Sequence, residues 1–211
     1  MVRVSHILVV SCALFAAVHA RPLGAIPQPN IKELRTEQYL GRWYNLYANS
    51  VEDRIFDGVT CIIADYGVVP GRSDAISLIN SSQNKTTFLP YSTRGFATQS
   101  PNASEPGDFV VAQSVPGYRP APKEPPVYVK ANYVIMELGP VVDGAYDYSL
   151  ISDGGNSKGL FVLARDKNRF VEKYQQEVLK KLATWGFTGA LAPYVTAQNN
   201  CTYPPPPPAY A

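Results

Sequence analysis

Short runs of alternating apolar and polar residues, rich in β-branched and aromatic side chains, recur along the chain from Gly41 onward. They cover Gly41–Asn49, Gly58–Val69, Asp74–Ser81, Pro90–Thr98, Phe109–Val115, Val127–Glu137, Tyr146–Ser152 and Gly159–Ala164. Period-two alternation of this kind predicts strands. Turn residues punctuate the series: Pro70 with Gly71, Pro101 with Asn102, Pro106 with Gly107, Pro116 with Gly117, and Gly154 with Gly155. Eight strands in sequence, with no helix between them, point to an all-β, eight-stranded antiparallel up-and-down barrel; a two-sheet sandwich is the alternative on this pattern alone.

The period changes after the last strand. Val171, Tyr174, Val178, Leu182 and Trp185 recur at spacings of three and four, which is one face of a helix. Lys173, Gln176, Glu177 and Lys180 fall elsewhere. Asp166 or Asn168 can cap its start, and Gly186 can end it. The polar face carries both signs of charge, so the spacing predicts one α-helix packed outside the barrel rather than one lying on a membrane.

The two ends of the chain read differently. Arg3 followed by an apolar run from Ile7 to Val18, with small residues up to Ala20, reads as a signal peptide over residues 1–20, and secretion follows. The run is too short for a transmembrane helix, and no later stretch is long and apolar enough. Residues 21–33 are rich in proline and polar side chains and predict an irregular N-terminal segment. Residues 34–201 form the barrel domain. Residues 202–211, with the uninterrupted prolines 204–208, predict an extended, disordered tail. A formal net charge of +2, from scattered basic residues, gives no attraction for nucleic acid.

Cleavage after Ala20 would also remove chemistry. Both histidines, His6 and His19, precede the cut, as does Cys12. The remaining chain can build neither a Ser-His-Asp site nor a Cys-His zinc site, and it contains no calcium-loop motif, so neither a metal nor a cofactor is expected. Cys61 and Cys201 are left. In an oxidising compartment that pair reads as a disulfide rather than two free thiols. It would close a loop of about 140 residues, contributing about 4–5 kcal/mol in the chain-entropy model. Asn80, Asn84, Asn102 and Asn200 each open an Asn-x-Ser/Thr glycosylation sequon.

Gly41, Arg42, Trp43 and Tyr44 stand at the head of the first predicted strand, preceded by Tyr39 and Leu40. With this Gly-x-Trp motif in place, the chain resembles the lipocalins and, within them, the apolipoprotein D-like group. Cys61–Tyr66 is similar to the second strand of that group, Ile76–Asn80 to its third, Gly95–Ala97 to its fourth, Leu160–Arg165 to its eighth, and Val195–Cys201 to its C-terminal stretch. The resemblance spans Leu34 to Cys201. The chain departs from the family over Leu138–Tyr148, which is longer and lacks a Thr-Asp-Tyr motif, and over the proline-rich link Pro116–Pro126.

The resemblance implies roles for individual residues. Trp43 and Arg165 match the tryptophan and arginine that close the floor of the barrel, an indole–guanidinium contact of about 1–2 kcal/mol when shielded from water. Cys61 then faces out, which by alternation turns Ile62, Ala64 and Tyr66 inward. Trp43 inward carries Asn45 and Tyr47 with it; Arg165 carries Leu163 and Phe161. Ile76, Leu78 and Asn80 face in by resemblance, and Phe109, Val111, Gln113, Tyr133 and Ile135 complete the wall. Because Asn80 points inward, Asn84, Asn102 and Asn200 are the expected glycan sites.

The function implied is transport or binding of a small hydrophobic ligand, such as a lipid, sterol, retinoid or pigment, in the barrel cavity. No cell-surface receptor or lipoprotein partner is identified by the sequence. Two alternatives remain: a secreted structural or partner-binding protein with a filled barrel, and an isomerase using a free cavity thiol. The second requires a cysteine that a Cys61–Cys201 bond leaves unavailable, so no enzyme activity is expected.

Overall fold

The computed structural model describes residues 29, 31–51, 58–102, 105–114, 119–127, 130–154 and 158–207. The expected signal peptide lies outside the described residues, as do most of residues 21–33 and residues 208–211 of the tail. A one-turn helix α1 (Thr36–Tyr39) leads into β1 (Gly41–Ala48). Next come β2 (Val59–Val69), β3 (Arg72–Asn84), β4 (Pro90–Gln99), β5 (Asp108–Gln113) and β6 (Tyr133–Leu138). A small hairpin of β7 (Val141–Val142) and β8 (Ala145–Tyr146) precedes β9 (Tyr148–Ser152) and β10 (Leu160–Ala164).

Each of β1 to β6 pairs antiparallel with its neighbour in sequence, β6 pairs with β9, and β9 with β10. β10 returns to β1, with Tyr44 opposite Ala164 and Asn45 opposite Leu163. That pairing closes an eight-stranded barrel and rules out the open sandwich. Closure leaves no long edge strand to recruit another chain.

Three element boundaries differ from the sequence reading. β3 runs on to Asn84, because Gln83 and Asn84 still find partners in Thr60 and Val59. β6 starts at Tyr133 rather than Val127; just before it, the Asn132 side chain rather than a strand backbone takes the N–H and carbonyl of Val111. Tyr146 belongs to the side hairpin, not to the wall. Asp147 separates the two, its backbone N–H turned to the Pro140 carbonyl and its carboxylate held by Arg169.

The expected single helix is two, α2 (Lys167–Lys173) and α3 (Gln175–Thr184), joined at Tyr174. Tyr174 leaves helical geometry at φ −121° while its ring packs against Tyr148 with centroids 5.2 Å apart. Asp166 is the N-cap, its carboxylate accepting from the Arg169 N–H at 2.9 Å. At the other end Gly186, at φ +88°, donates to Ala183, and the Phe187 N–H reaches back to Leu182 at 3.0 Å. This is the double bond pattern of a glycine-terminated helix. Phe170, Val178 and Leu182 bury against the outer barrel wall, whereas Val171, expected on that face, is exposed. The one-residue shift follows from the break at Tyr174.

Residues 194–201 repair a gap in the wall. β1 and β2 pair only from Gly41 to Tyr44; beyond that each carries an irregularity and the two separate. Residues 194–201 fill the wedge. β11 (Tyr194–Val195) pairs with Ala48 and Tyr47, and the Thr196 N–H donates to Leu46. Ala197 accepts from the Cys61 N–H, and the Gln198 amide donates to both Asn45 and Ile62 carbonyls, at 2.7 and 2.8 Å. The Cys61–Cys201 disulfide, with Cα atoms 5.5 Å apart, fastens this segment to β2. Tyr203 then packs edge-on against Tyr44.

Gly95 sits where β4 and β5 approach closely. A Cβ there would lie 2.1 Å from the Ala112 carbonyl oxygen. Gly95→Ala is expected to force β4 and β5 apart and to lower unfolding free energy by about 1–3 kcal/mol, read as a drop in the urea midpoint at unchanged m-value.

Candidate functional site

The barrel floor is built first by sequence-local geometry. Gly41 sits at φ +94°, which a β-carbon disfavours, and a Cβ there would come within 3.2 Å of Arg165 Nη1. Two residues on, Trp43 is wholly buried, and its indole N–H donates to the Tyr39 carbonyl at 2.8 Å. Arg165, one residue past β10, lays its guanidinium 3.8 Å from the centroid of the Trp43 ring. Its donors reach the carbonyls of Arg42 (2.7 Å), Gln38 (3.2 Å), Tyr39 (2.9 Å), Leu40 (2.6 Å) and Tyr146 (3.3 Å). The expected floor pair is therefore present. The arginine also holds the exposed carbonyl end of α1, so one side chain satisfies acceptors that would otherwise be stranded. Burial pushes its pKa down to about 10, which leaves it charged at neutral pH.

Against this floor stands a cluster of phenols. Tyr39 and Tyr66 stack with centroids 5.5 Å apart. The Tyr133 hydroxyl lies 2.7 Å from that of Tyr39 and 3.0 Å from that of Tyr66, and Tyr39 also meets the Ser149 hydroxyl at 3.2 Å. Loss of water around them raises the pKa of all three phenols, that of Tyr39 to about 12, so the network is neutral.

The wall is apolar. Ala64, Ile76, Leu78, Phe109 and Leu163 form one buried cluster with Trp43, joined by Ile135 and Ile151, and Val111, Tyr133 and Phe161 pack against it. Ile62 is buried and shares the alternation of Ala64 and Tyr66. Asn80 faces inward as expected. Its amide donates to Gln113 Oε1 at 2.7 Å, and Thr93 donates to the same oxygen at 3.2 Å. Asn45 lies across from Leu163 and is 2% exposed, yet its Oδ1 has no hydrogen-bond partner among the described residues.

Tyr47 is the exception. Sequence alternation placed it in the lumen, but it joins the outer cluster beneath the helices, its ring 6.4 Å from that of Phe170. The cause is the bulge between Asn45 and Tyr47 in β1, where one extra residue reverses every later side chain. Tyr39, Thr93 and Ser149 were not anticipated as lumen residues. Ser149 could have been found, since it pairs with inward-facing Leu163. Tyr39 carries no such signal, because it reaches the lumen from a single helical turn. Cys61 and Cys201 are joined, so neither supplies a thiol. Among the described residues no three His, Cys, Asp or Glu side chains gather to hold a metal.

No family model and no curated protein matches the sequence. Solved structures do match in shape. Insecticyanin from the tobacco hornworm Manduca sexta aligns with a TM-score of 0.55 and 14% identity, over 84% of this chain and 88% of that one. The amine binding protein of Rhodnius prolixus, in its tryptamine complex, aligns with a TM-score of 0.51 and 15% identity, over 86% and 91%. The chain has the lipocalin fold. In this lipocalin barrel the Gly-x-Trp motif and Arg165 occupy the closed end.

The phenol network ties stability of the lipocalin barrel to pH. An unfolded chain ionises its tyrosines near pH 10, whereas Tyr39, Tyr66 and Tyr133 stay protonated above that value in the folded state. Folding therefore binds more phenolic protons, so their contribution is intact below about pH 10 and is lost as pH rises beyond it. Titration followed by near-ultraviolet phenolate absorbance is expected to show these three tyrosines ionising only as the barrel unfolds. Full ionisation with native circular dichroism retained would contradict this.

Proposed function

We propose that this chain is a secreted carrier of one small hydrophobic molecule, held in the barrel lumen above the Trp43–Arg165 floor. The observation that carries the reading is Asn45 Oδ1, a buried acceptor without a partner among apolar walls. A buried amide oxygen left unpaired costs free energy that a bound polar atom would offset. Apolar surroundings with a few polar groups are the chemistry of small-molecule sites. The amine binding protein of Rhodnius prolixus, which shares the fold, holds tryptamine in its complex. Within the lipocalins, the Cys61–Cys201 bond and the sequences of β2, β3 and β10 favour the apolipoprotein D-like group.

Binding needs no reacting side chain, and the wall offers no histidine or free thiol among the described residues. The proposed ligand residues are Asn45, Ile62, Ala64, Ile76, Leu78, Asn80, Phe109, Val111, Tyr133, Phe161 and Leu163. Native mass spectrometry of the full chain, made through a secretory pathway, is expected to show a one-to-one small-molecule adduct or saturable uptake of the apolar dye N-phenylnaphthylamine. Neither signal would overturn the carrier reading in favour of a filled barrel.

Secretion accords with the N-terminal apolar run, the disulfide and the sequons. Asn84, Asn102 and Asn200 are exposed, whereas Asn80 is turned to Gln113 inside the barrel. Glycopeptide mapping of the secreted protein is expected to find sugars on Asn84, Asn102 or Asn200 and none on Asn80.

A further inference from the structure

The carrier reading leaves open what kind of head group the lumen accepts, and the placement of charge on the wall answers it. Arg42 and Asp65 form a two-pronged ion pair on the outer face, with both bonds at 2.8 Å. Arg94 is exposed on the outer face of β4, and Asp108 lies opposite Val134, whose side chain packs outside. Glu137 is engaged by Lys181 of α3 at 2.6 Å. Arg72 and Asp74 pair with each other at the exposed start of β3. Among the described residues of the wall, Arg165 is the charged side chain that approaches the interior, and its donors are directed to five backbone carbonyls.

The polar atoms that do face the lumen are neutral. Tyr39, Tyr66, Tyr133 and Ser149 satisfy one another, and Asn80, Thr93 and Gln113 do the same. Asn45 Oδ1 is the exception, an acceptor with nothing donating to it among the described residues. A ligand carboxylate would bring a second acceptor and an uncompensated charge. An ammonium would find an amide oxygen but no carboxylate. Both would lose their hydration without a counter-ion. A hydroxyl or amide N–H would donate to Asn45 and carry no charge inward.

We infer that the lumen selects an uncharged amphiphile, an apolar body with one hydroxyl or N–H donated to Asn45 Oδ1, and rejects the carboxylate and ammonium forms of the same body. This rests on the carrier reading, and the test separates the two. N-phenylnaphthylamine is bound to the full chain at neutral pH and displaced by dodecanol, dodecanoate or dodecylammonium, which share one apolar body. The alcohol is expected to bind at least about tenfold more tightly than either ion, a difference that one uncompensated buried charge readily exceeds.

If the dye binds but either ion competes as well as the alcohol, the head-group inference is overturned and the carrier reading stands. If the dye does not enter and no native adduct is seen, the carrier reading itself fails. Asn45→Leu is expected to weaken dodecanol by about three- to tenfold relative to the dye, the loss of one hydrogen bond. Unchanged dodecanol affinity would remove Asn45 from the site. Asn45→Asp is expected to raise dodecylammonium relative to dodecanol by supplying the missing counter-charge. Should either variant fail to fold, the head-group series on the unaltered chain still decides the matter.

Discussion

Arg165 enters the base of the barrel as a charge held by carbonyl oxygens and an indole face rather than by a carboxylate. That arrangement constrains everything near it. The carbonyls it needs come from α1 and from the start of β1, so the segment before the first strand must cross the barrel mouth at a fixed angle. Gly41 is required for the same reason, since a side chain there would meet the guanidinium. Trp43 supplies the ring and uses its own N–H to hold Tyr39 in place. Tyr39, so placed, organises Tyr66, Tyr133 and Ser149 into a neutral hydroxyl network. One buried cation thus determines both the closure of the floor and the chemistry of the surface above it.

The two faces of the wall divide the work of folding. Inward residues of β1 to β6, β9 and β10 make the lumen, while Leu46, Val134, Met136, Leu150 and Val162 on the outer face take the apolar stripe of α2 and α3. Because both faces of this side are buried, alternation along β9 and β10 is hidden in composition: nearly every residue is apolar. Charge makes the division visible elsewhere. Arg42, Asp65 and Arg94 stand outside on β1, β2 and β4, and among the described residues of these strands no charged side chain stands within.

Much of this was legible in the sequence. Strand number, order and antiparallel sense followed from short alternating runs separated by turn residues. The pairing of Trp43 with Arg165 and the inward faces of β2, β3, β5 and β10 followed from resemblance combined with parity. What failed was local. A bulge cannot be read from residue types when Leu46 and Tyr47 are both apolar, so Tyr47 was placed on the wrong face. Prolines 125 and 126 signalled a loop that the surrounding β-branched residues obscured. The helix break at Tyr174 arises from an aromatic contact with Tyr148, which is remote in sequence and so invisible in any window of the helix itself. The unpaired Asn45 oxygen could not be foreseen either, because it depends on which neighbours are missing.

The wedge between β1 and β2 has a consequence for the order of assembly. The first two strands of the barrel cannot complete their own seam; they need residues 194–201, which are synthesised after every strand of the wall. Closure of the cylinder likewise waits for β10. Almost every structure-defining contact of β1 on that side is therefore long in sequence, which slows formation and leaves early strands with bare edges in the meantime. A nascent barrel is a sheet without a seam, and its vulnerability to mispairing ends only when residues 194–201 arrive and Cys201 finds Cys61.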